Sequence, residues 1–257
     1  RTEDGIFRNG VRAWTSQAVH AGDVIETHLV ETEPSDGILP RPVPFSVVYE
    51  DDDILVVDKP ADTPIHPSIG NYENTLANGI AWYFEQKGEP FVYRCINRLD
   101  RDTTGLIVLA KHALIAAVIS QAMPSREIHR TYQAFALGET AASGTIDAPI
   151  ARLDGSLIQR TVDFASGERS VTHYRTLAHC SVFSHLELNL ETGRTHQIRV
   201  HMAYIGHPLL GDTLYNKTPG TFPRQALHSA SLSFVHPITG EPLNFHAPLP
   251  EDMQNLL

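Results

Sequence analysis

Cysteine is nearly absent: Cys95 and Cys180 are the two in 257 residues, and they lie far apart in the chain. Such spacing makes no disulfide framework and no zinc pattern, and it suits a reducing, cytoplasmic compartment. Long apolar runs are missing too. No stretch of 18 or more apolar residues could form a membrane-spanning helix, and no charged-then-apolar leader is present. There is no phosphate-cradling glycine loop, no G-x-S-x-G elbow and no cluster of metal ligands. Internal repeats, heptads and low-complexity tracts are also lacking. Lysine is scarce beside arginine, which is the better residue for forked phosphate contacts and for stacking on bases. The chain opens RTEDGIFRNG rather than on methionine, which reads as a piece of a longer protein.

What is there is ordinary globular composition, 42% apolar and 19% charged, long enough for a substantial core and a small extra domain. The net charge of −10 argues weakly against a polyanionic partner. Its distribution softens that argument. Residues 31–58 are strongly acidic, whereas 94–130 carry more basic than acidic groups, so a basic cleft on an acidic protein is compatible with the sequence.

Over residues 1–33, Asn9-Gly10 and Gly22-Asp23 are turn signals between short β-like runs, which predicts a small β unit. PSDGILPRPVPF comes next, and its proline content predicts a semi-rigid linker over 34–44. From residue 45 to 257 the chain reads as mixed. SVVYEDDDILVVDKP gives two strands around an acidic turn. ENTLANGIAWYFEQKG has helical spacing, with Asn74 as N-cap and Gly88 past the end. GLIVLAK is a short apolar strand, and LIAAVISQAM a helix stopped by Pro124. RTYQAFALG and VFSHLELNLE alternate as strands. THQIRVHMAYIG predicts a helix capped by Thr195 and ended at Gly206. Strands and helices do not alternate strictly, so the class expected is α+β.

Three stretches could carry chemistry. INRLDRDTTGLIVLAK (96–111) crowds Arg98, Asp100, Arg101 and Asp102 against the start of a core strand. A carboxylate beside the core is partly desolvated, which favours its neutral form; an arginine within about 4–6 Å opposes that. The plain alternative is a solvated charged turn, which composition alone favours. Asp100 and Asp102 resemble a metal-binding pair, but the flanking arginines disfavour a cation. In LNLETGRTHQIRVHMAYIGHPLLGDTLY (188–215), Arg194 precedes a helix N-terminus. It opposes the helix dipole by a few tenths of a kcal/mol unless an anion compensates, either a buried aspartate or an RNA phosphate. His196 and His201 are five apart and fall on different helix faces, so they do not make a zinc helix; they read as structural or RNA-facing. In REIHRTYQAFALGE (126–139), Arg130, Tyr132, Ala134 and Ala136 share one strand face. The small alanines leave room for a flat group against the tyrosine ring, although most strand tyrosines are simply core.

Taken together these stretches resemble a known family. NRLDRDTTGLIVLAK closely resembles the R-L-D-x-x-T-S/T-G signature of the RluA-type pseudouridine synthases. KPADTPIHP, RTYQAFALGE, ETGRTHQIRVHMAYIGHPLLGDTLY and LHSASLSFVHPITGEPLNFHAPLP also look like that family, in its usual order, from Phe45 to the end. Residues 1–30 look like the C-terminal part of a small RNA-binding domain shared with a ribosomal small-subunit protein. The resemblance implies an α+β fold with a mixed, largely antiparallel central sheet flanked by helices and a catalytic cleft across the sheet. It implies isomerisation of uridine to pseudouridine in ribosomal or transfer RNA, in the cytoplasm, with no cofactor or metal. A monomer is favoured and no membrane partner is expected. By resemblance, Asp100 is the essential carboxylate, Tyr132 stacks on the flipped base and Arg194 pairs with Asp100. Arg98 enters the helix that the base leaves, and Leu188 or Leu190 forms the apolar wall. Arg101, Arg130, His196 and Arg199 are expected to face RNA. Three positions depart from the family pattern: Asn97 stands for histidine, Thr104 for serine and Asp62 for glycine. The alternatives are a non-catalytic RNA-binding or chaperone protein on the same fold, and a metal-dependent hydrolase or glycosyl transferase using Asp100 and Asp102.

Overall fold

A computed structural model describes residues 5–27, 33–122 and 128–257. Pro124, expected to stop the second helix, lies outside the described residues. The first unit is a small antiparallel sheet of β1 (Ile6–Arg8), β2 (Val11–Arg12) and β3 (Ile25–Thr27), ordered β2-β1-β3. Asn9 and Gly10 both take positive φ, 53° and 77°, as a two-residue hairpin with the right-handed strand twist requires. The proline-rich segment is not a free linker. Its backbone is bonded to Asn78 in both directions, from Arg41 N–H to Asn78 O at 3.1 Å and from Asn78 Nδ2 to Leu39 O at 2.8 Å. Prolines pre-set an extended chain, and the buried Asn78 amide supplies a partner that composition does not reveal.

The rest is α+β, as expected. In chain order it comprises β4 (Ser46–Glu50), β5 (Ile54–Lys59), α1 (Leu76–Lys87), β6 (Thr104–Ala110), α2 (Ala113–Ala122), β7 (His129–Leu137), β8 (Ser143–Asp147), β9 (Ile150–Arg152), β10 (Arg160–Val162), β11 (Val171–His179), β12 (Phe183–Leu190), α3 (Gln197–Tyr204), β13 (Leu227–Val235), β14 (Pro242–His246) and α4 (Glu251–Gln254). The central sheet runs β4-β5-β6-β13-β7-β12-β11-β8, with β14 also on β13. Its pairings are antiparallel except for β6 with β13. β9 and β10 form a separate hairpin.

β5 and β6 are apolar at almost every position because both faces of the sheet are covered. Leu55, Val57, Ile107 and Leu109 face α1 and α3 through Leu76, Ile80, Phe84, Ile198 and Met202. Ile54, Val56, Leu106 and Val108 face α2 and β14 through Ile115, Ile119 and Phe245. α1 starts one residue later than expected. Thr75, not Asn74, is the N-cap, and it forms a reciprocal capping box with Asn78. Gly88 closes the helix in the left-handed region, at φ 72°. α3 also starts late: Thr195 does not cap it, and His196 sits there at φ 59° with no side-chain cap. Among the described residues, no helix is long and apolar enough to cross a membrane.

Candidate active site

The centre of the sheet sets the site. At the start of β6, Gly105 takes φ 112°, and a Cβ there would lie 2.3 Å from Ser229 O. Only glycine lets β6 close against β13. On its other side β13 carries an irregularity against β7 between Ser229 and Ser231, next to Tyr132. Loop 96–103, Tyr132 of β7 and the end of β12 thus meet at one opening.

The loop alternates inward and outward. Asn97 is buried, its Oδ1 accepting from Val108 N–H at 2.8 Å and its Nδ2 donating to Leu106 O at 3.2 Å. Leu99 is buried as well, and between them Arg98 is exposed. Two buried cations grip the far side of the loop. Lys59 Nζ donates to Arg101 O at 2.8 Å, and Arg224 Nη1 to Asp102 O at 3.1 Å. Burial pushes Lys59 down to about 7, against the pull of Asp102. Asp100 is left pointing into the cleft, its side chain 23% exposed.

Arg199 holds Asp100, with Nη1 at 2.9 Å from Oδ2. The other edge of the Arg199 guanidinium is clamped by Asp212, at 2.7 and 2.9 Å. Asp212 is fully buried, and its Oδ1 also accepts from Leu214 N–H and Tyr215 N–H. Burial opposes the charge on Arg199, but the bonds from Asp212 and the charge of Asp100 outweigh it and raise the guanidinium above its usual range. His196 Nε2 lies 3.8 Å from Asp100 Oδ1, and its Nδ1 lies 2.7 Å from Tyr215 Oη. Burial lowers His196.

This corrects several expectations. Arg194 does not pair with Asp100 but with Glu168, at 2.6 Å on the cleft rim. Arg199 is not free for RNA: it is 4% exposed and engaged at both edges. Because α3 begins at Gln197, residue 199 falls in the first turn on the inward face. Gln197 fixes that start by accepting from Arg194 N–H and Thr192 Oγ1 and donating to Val171 O. Arg101 is bound to Asp62 at 2.7 Å and does not line the cleft. His196 lines the cleft, with its ring nitrogens directed to Asp100 and Tyr215. His201 is structural, held between Thr172 Oγ1 and Ala148 O.

The other residues converge. An open cleft of about 1070 Å³ is lined by Arg98, Asp100, Arg130, Tyr132, Leu190, Arg194 and His196 together with Arg152, Arg160 and Glu168. Tyr132 is 4% exposed and packs in the core, yet it lines the cleft. Leu190 lines the opening, whereas Leu188 is buried behind it, opposite Tyr132 in the β-ladder. Asp212, Tyr215, Arg160 and Gln197 do not stand out in the sequence. The turn-like GDTLY run is the local signal for Asp212 and Tyr215.

The three departures have physical counterparts. Asp62 takes φ 54°, a backbone that suits glycine and that aspartate tolerates, and its carboxylate is used on Arg101. Asn97 bridges the loop to β6, and Thr104 Oγ1 bonds His228 Nδ1 at 2.8 Å.

The acids of the loop do not form a metal pair: Asp100 goes to Arg199, while the Asp102 carboxylate sits 3.7 Å from Arg101 Nε. Among the described residues one other cluster, Asp51, Asp53 and His236, brings ligand atoms together. Its chemistry does not fit a cation. His236 Nδ1 accepts from Ile238 N–H and Thr239 N–H, so Nε2 carries the proton and donates to Asp51 at 3.1 Å. A metal would need that lone pair.

A profile of RNA pseudouridylate synthases matches residues 53–204. The chain is 41% identical over 250 residues to an uncharacterized RNA pseudouridine synthase of Bacillus subtilis, covering 97% of this chain and 88% of that one. It is 42% identical over 251 residues to ribosomal large subunit pseudouridine synthase D of Vibrio cholerae, covering 91% and 76%. A solved structure, human RNA pseudouridylate synthase domain containing 1, superimposes with a TM-score of 0.67 at 26% identity, covering 84% of this chain and 86% of that one. Nothing in these likenesses supports the non-catalytic alternative. The chain belongs to the RNA pseudouridylate synthase family, whose members isomerise uridine in RNA to pseudouridine.

Proposed function

We propose that Asp100 is the essential carboxylate of this isomerisation and that the target uridine lies in ribosomal or transfer RNA. The observation that carries this is the Asp100–Arg199–Asp212 array. It presents one oriented carboxylate to an open, arginine-lined cleft beside an aromatic ring. Glycosidic cleavage develops positive charge on the sugar, and a fixed carboxylate stabilises or traps that charge. The leaving uracil carries negative charge, which the cleft arginines offset. Extruding the base costs a few kcal/mol. Stacking on Tyr132 and insertion of the exposed Arg98 offset that cost. Arg130, lying over Gly193, and the rim arginines Arg152 and Arg160 take phosphates. The relatives named for the large ribosomal subunit favour a ribosomal target. A cytoplasmic location fits the two free cysteines, the half-buried Cys95, whose thiol desolvation pushes up to about 12, and the exposed Cys180; a monomer is the state we propose.

The test uses total RNA from a strain lacking the gene, grown on uridine tritiated at ring carbon five. This RNA contains the target whatever it is. Wild-type protein releases tritium as the ring carbon bonds to the sugar, and Asp100→Asn releases none. Release by Asp100→Asn at the wild-type rate would remove Asp100 from the reaction.

A further inference from the structure

His196 occupies an odd position. It precedes α3 in the left-handed region (φ 59°, ψ 18°), where a non-glycine residue is strained by roughly 1 kcal/mol or more, and it makes no capping bond to the helix. Ser, Thr, Asp or Asn would cap better. The side chain is spent elsewhere, between Asp100 and Tyr215.

Donor accounting fixes its tautomer. Tyr215 Oη accepts from Arg160 N–H at 2.9 Å. Its own proton finds its acceptor, among the described residues, at His196 Nδ1, 2.7 Å away. With the Tyr215 proton given to Nδ1, that nitrogen is the acceptor and Nε2 carries the hydrogen toward Asp100 Oδ1. At 3.8 Å this contact is longer than a hydrogen bond and needs less than 1 Å of closure to become one. The groups facing the ring are Asp100, Arg199, Arg160 and Asp212, two of each sign, and burial favours the neutral form.

Two bonds tie this unit to the hairpin of β9 and β10. Besides the Arg160 amide, Gln159 Nε2 donates to Leu214 O at 3.2 Å. Arg152 and Arg160 of that hairpin line the cleft. Asp212, which orients Arg199, also receives the amide of Tyr215, and the Arg199 guanidinium lies 5.2 Å over the Tyr215 ring. One loop, 212–215, therefore serves both oxygens of Asp100.

We propose that Tyr215 and His196 form a positioning pair that presents an N–H to Asp100 Oδ1, and that the pair couples the seating of the β9–β10 hairpin on RNA to the orientation of that carboxylate. Arg199 holds Oδ2 permanently. His196 closes on Oδ1 when the hairpin is pressed down, so the carboxylate is fully oriented only with RNA in the cleft. No proton is transferred; the pair supplies a directed hydrogen bond. This rests on the assignment of Asp100.

The test is single-turnover tritium release from the same labelled RNA, with enzyme in excess, which yields a limiting rate and a half-saturating enzyme concentration. Tyr215→Phe keeps the ring and its packing. It is expected to lower the limiting rate at least tenfold while half-saturation moves less than threefold. In His196→Gln the amide replaces the Nε2–H donor and has no tautomer to fix, so this variant keeps most of the rate where His196→Leu does not. In the His196→Gln background, Tyr215→Phe then changes the rate by less than twofold. Equal costs of Tyr215→Phe in both backgrounds, or failure of glutamine to outperform leucine, would overturn the pairing while leaving Asp100 untouched. Activity in Asp100→Asn would instead overturn the site assignment beneath it.

Discussion

Asp100 owes its place to residues that are far from it in sequence. Arg199 and Asp212 are 99 and 112 positions downstream, yet they set the direction of its carboxylate. A buried ion pair broken from one side leaves an uncompensated charge and costs about 3–5 kcal/mol. Asp212→Asn keeps one acceptor, so urea unfolding should show a loss near the low end, about 3 kcal/mol, at unchanged slope. Arg194→Met removes a pair whose partners are 42% and 68% exposed. It should lose under about 1 kcal/mol in the same measurement. The reverse order would mean that Arg194, not Arg199, carries the buried charge. In the sequence these two arginines are five apart, Arg194 between Gly193 and Thr195 and Arg199 between Ile198 and Val200, and neither setting says which of them meets Asp100. The choice depends on where α3 starts, and Gln197 settles that through contacts to β11.

At the scale of elements, the short apolar run GLIVLA is readable as a strand, and its neighbour β5 likewise, because continuous apolar residues fit a strand buried on both faces. What cannot be read is the parallel contact of β6 with β13, more than a hundred residues further along the chain. Gly105 permits that contact. Gly105→Ala combines backbone strain with a clash against Ser229 and should cost roughly 3–5 kcal/mol. At this chain length that is a drop of about 6–20 °C in Tm by calorimetry. Gly240→Ala has positive φ too, but open space around it, so its Tm should fall much less. Equal shifts would show that Gly105 answers only to its backbone angle. The helix N-caps read from sequence fall one residue away from their true positions, while the C-cap at Gly88 stands. Thr75 and Asn74 are both good caps, and only the reciprocal bond to Asn78 discriminates between them.

At the scale of the molecule, an acidic chain binds a polyanion through a local reversal of charge. Arg98, Arg130, Arg152 and Arg160 line the cleft, while Arg194 is already neutralised by Glu168. With three phosphate contacts, from Arg130, Arg152 and Arg160, and Arg98 inserted into the helix, the slope of log affinity against log salt should be about −2 to −3. The inactive Asp100→Asn protein, titrated with labelled RNA between low and moderate salt, measures it. A slope steeper than about −6 would place the RNA on more of the surface than this cleft.

The sequence by itself determined the class, the run of strands and helices, and the ordered blocks that mark the family. It also brought forward Asp100, Arg98 and Tyr132. The class and the elements rest on local periodicity, turn residues and spacing, and the three residues on the resemblance of their blocks to the family; a chain carries both before it folds. Tertiary structure alone decided which arginine meets Asp100, that Asp212 and Tyr215 belong to the site, and that His196 is directed to Asp100 and Tyr215. Each depends on where distant backbone segments come to rest, and the free energy that fixes them is burial and pairing between those segments, written in no single stretch of the chain.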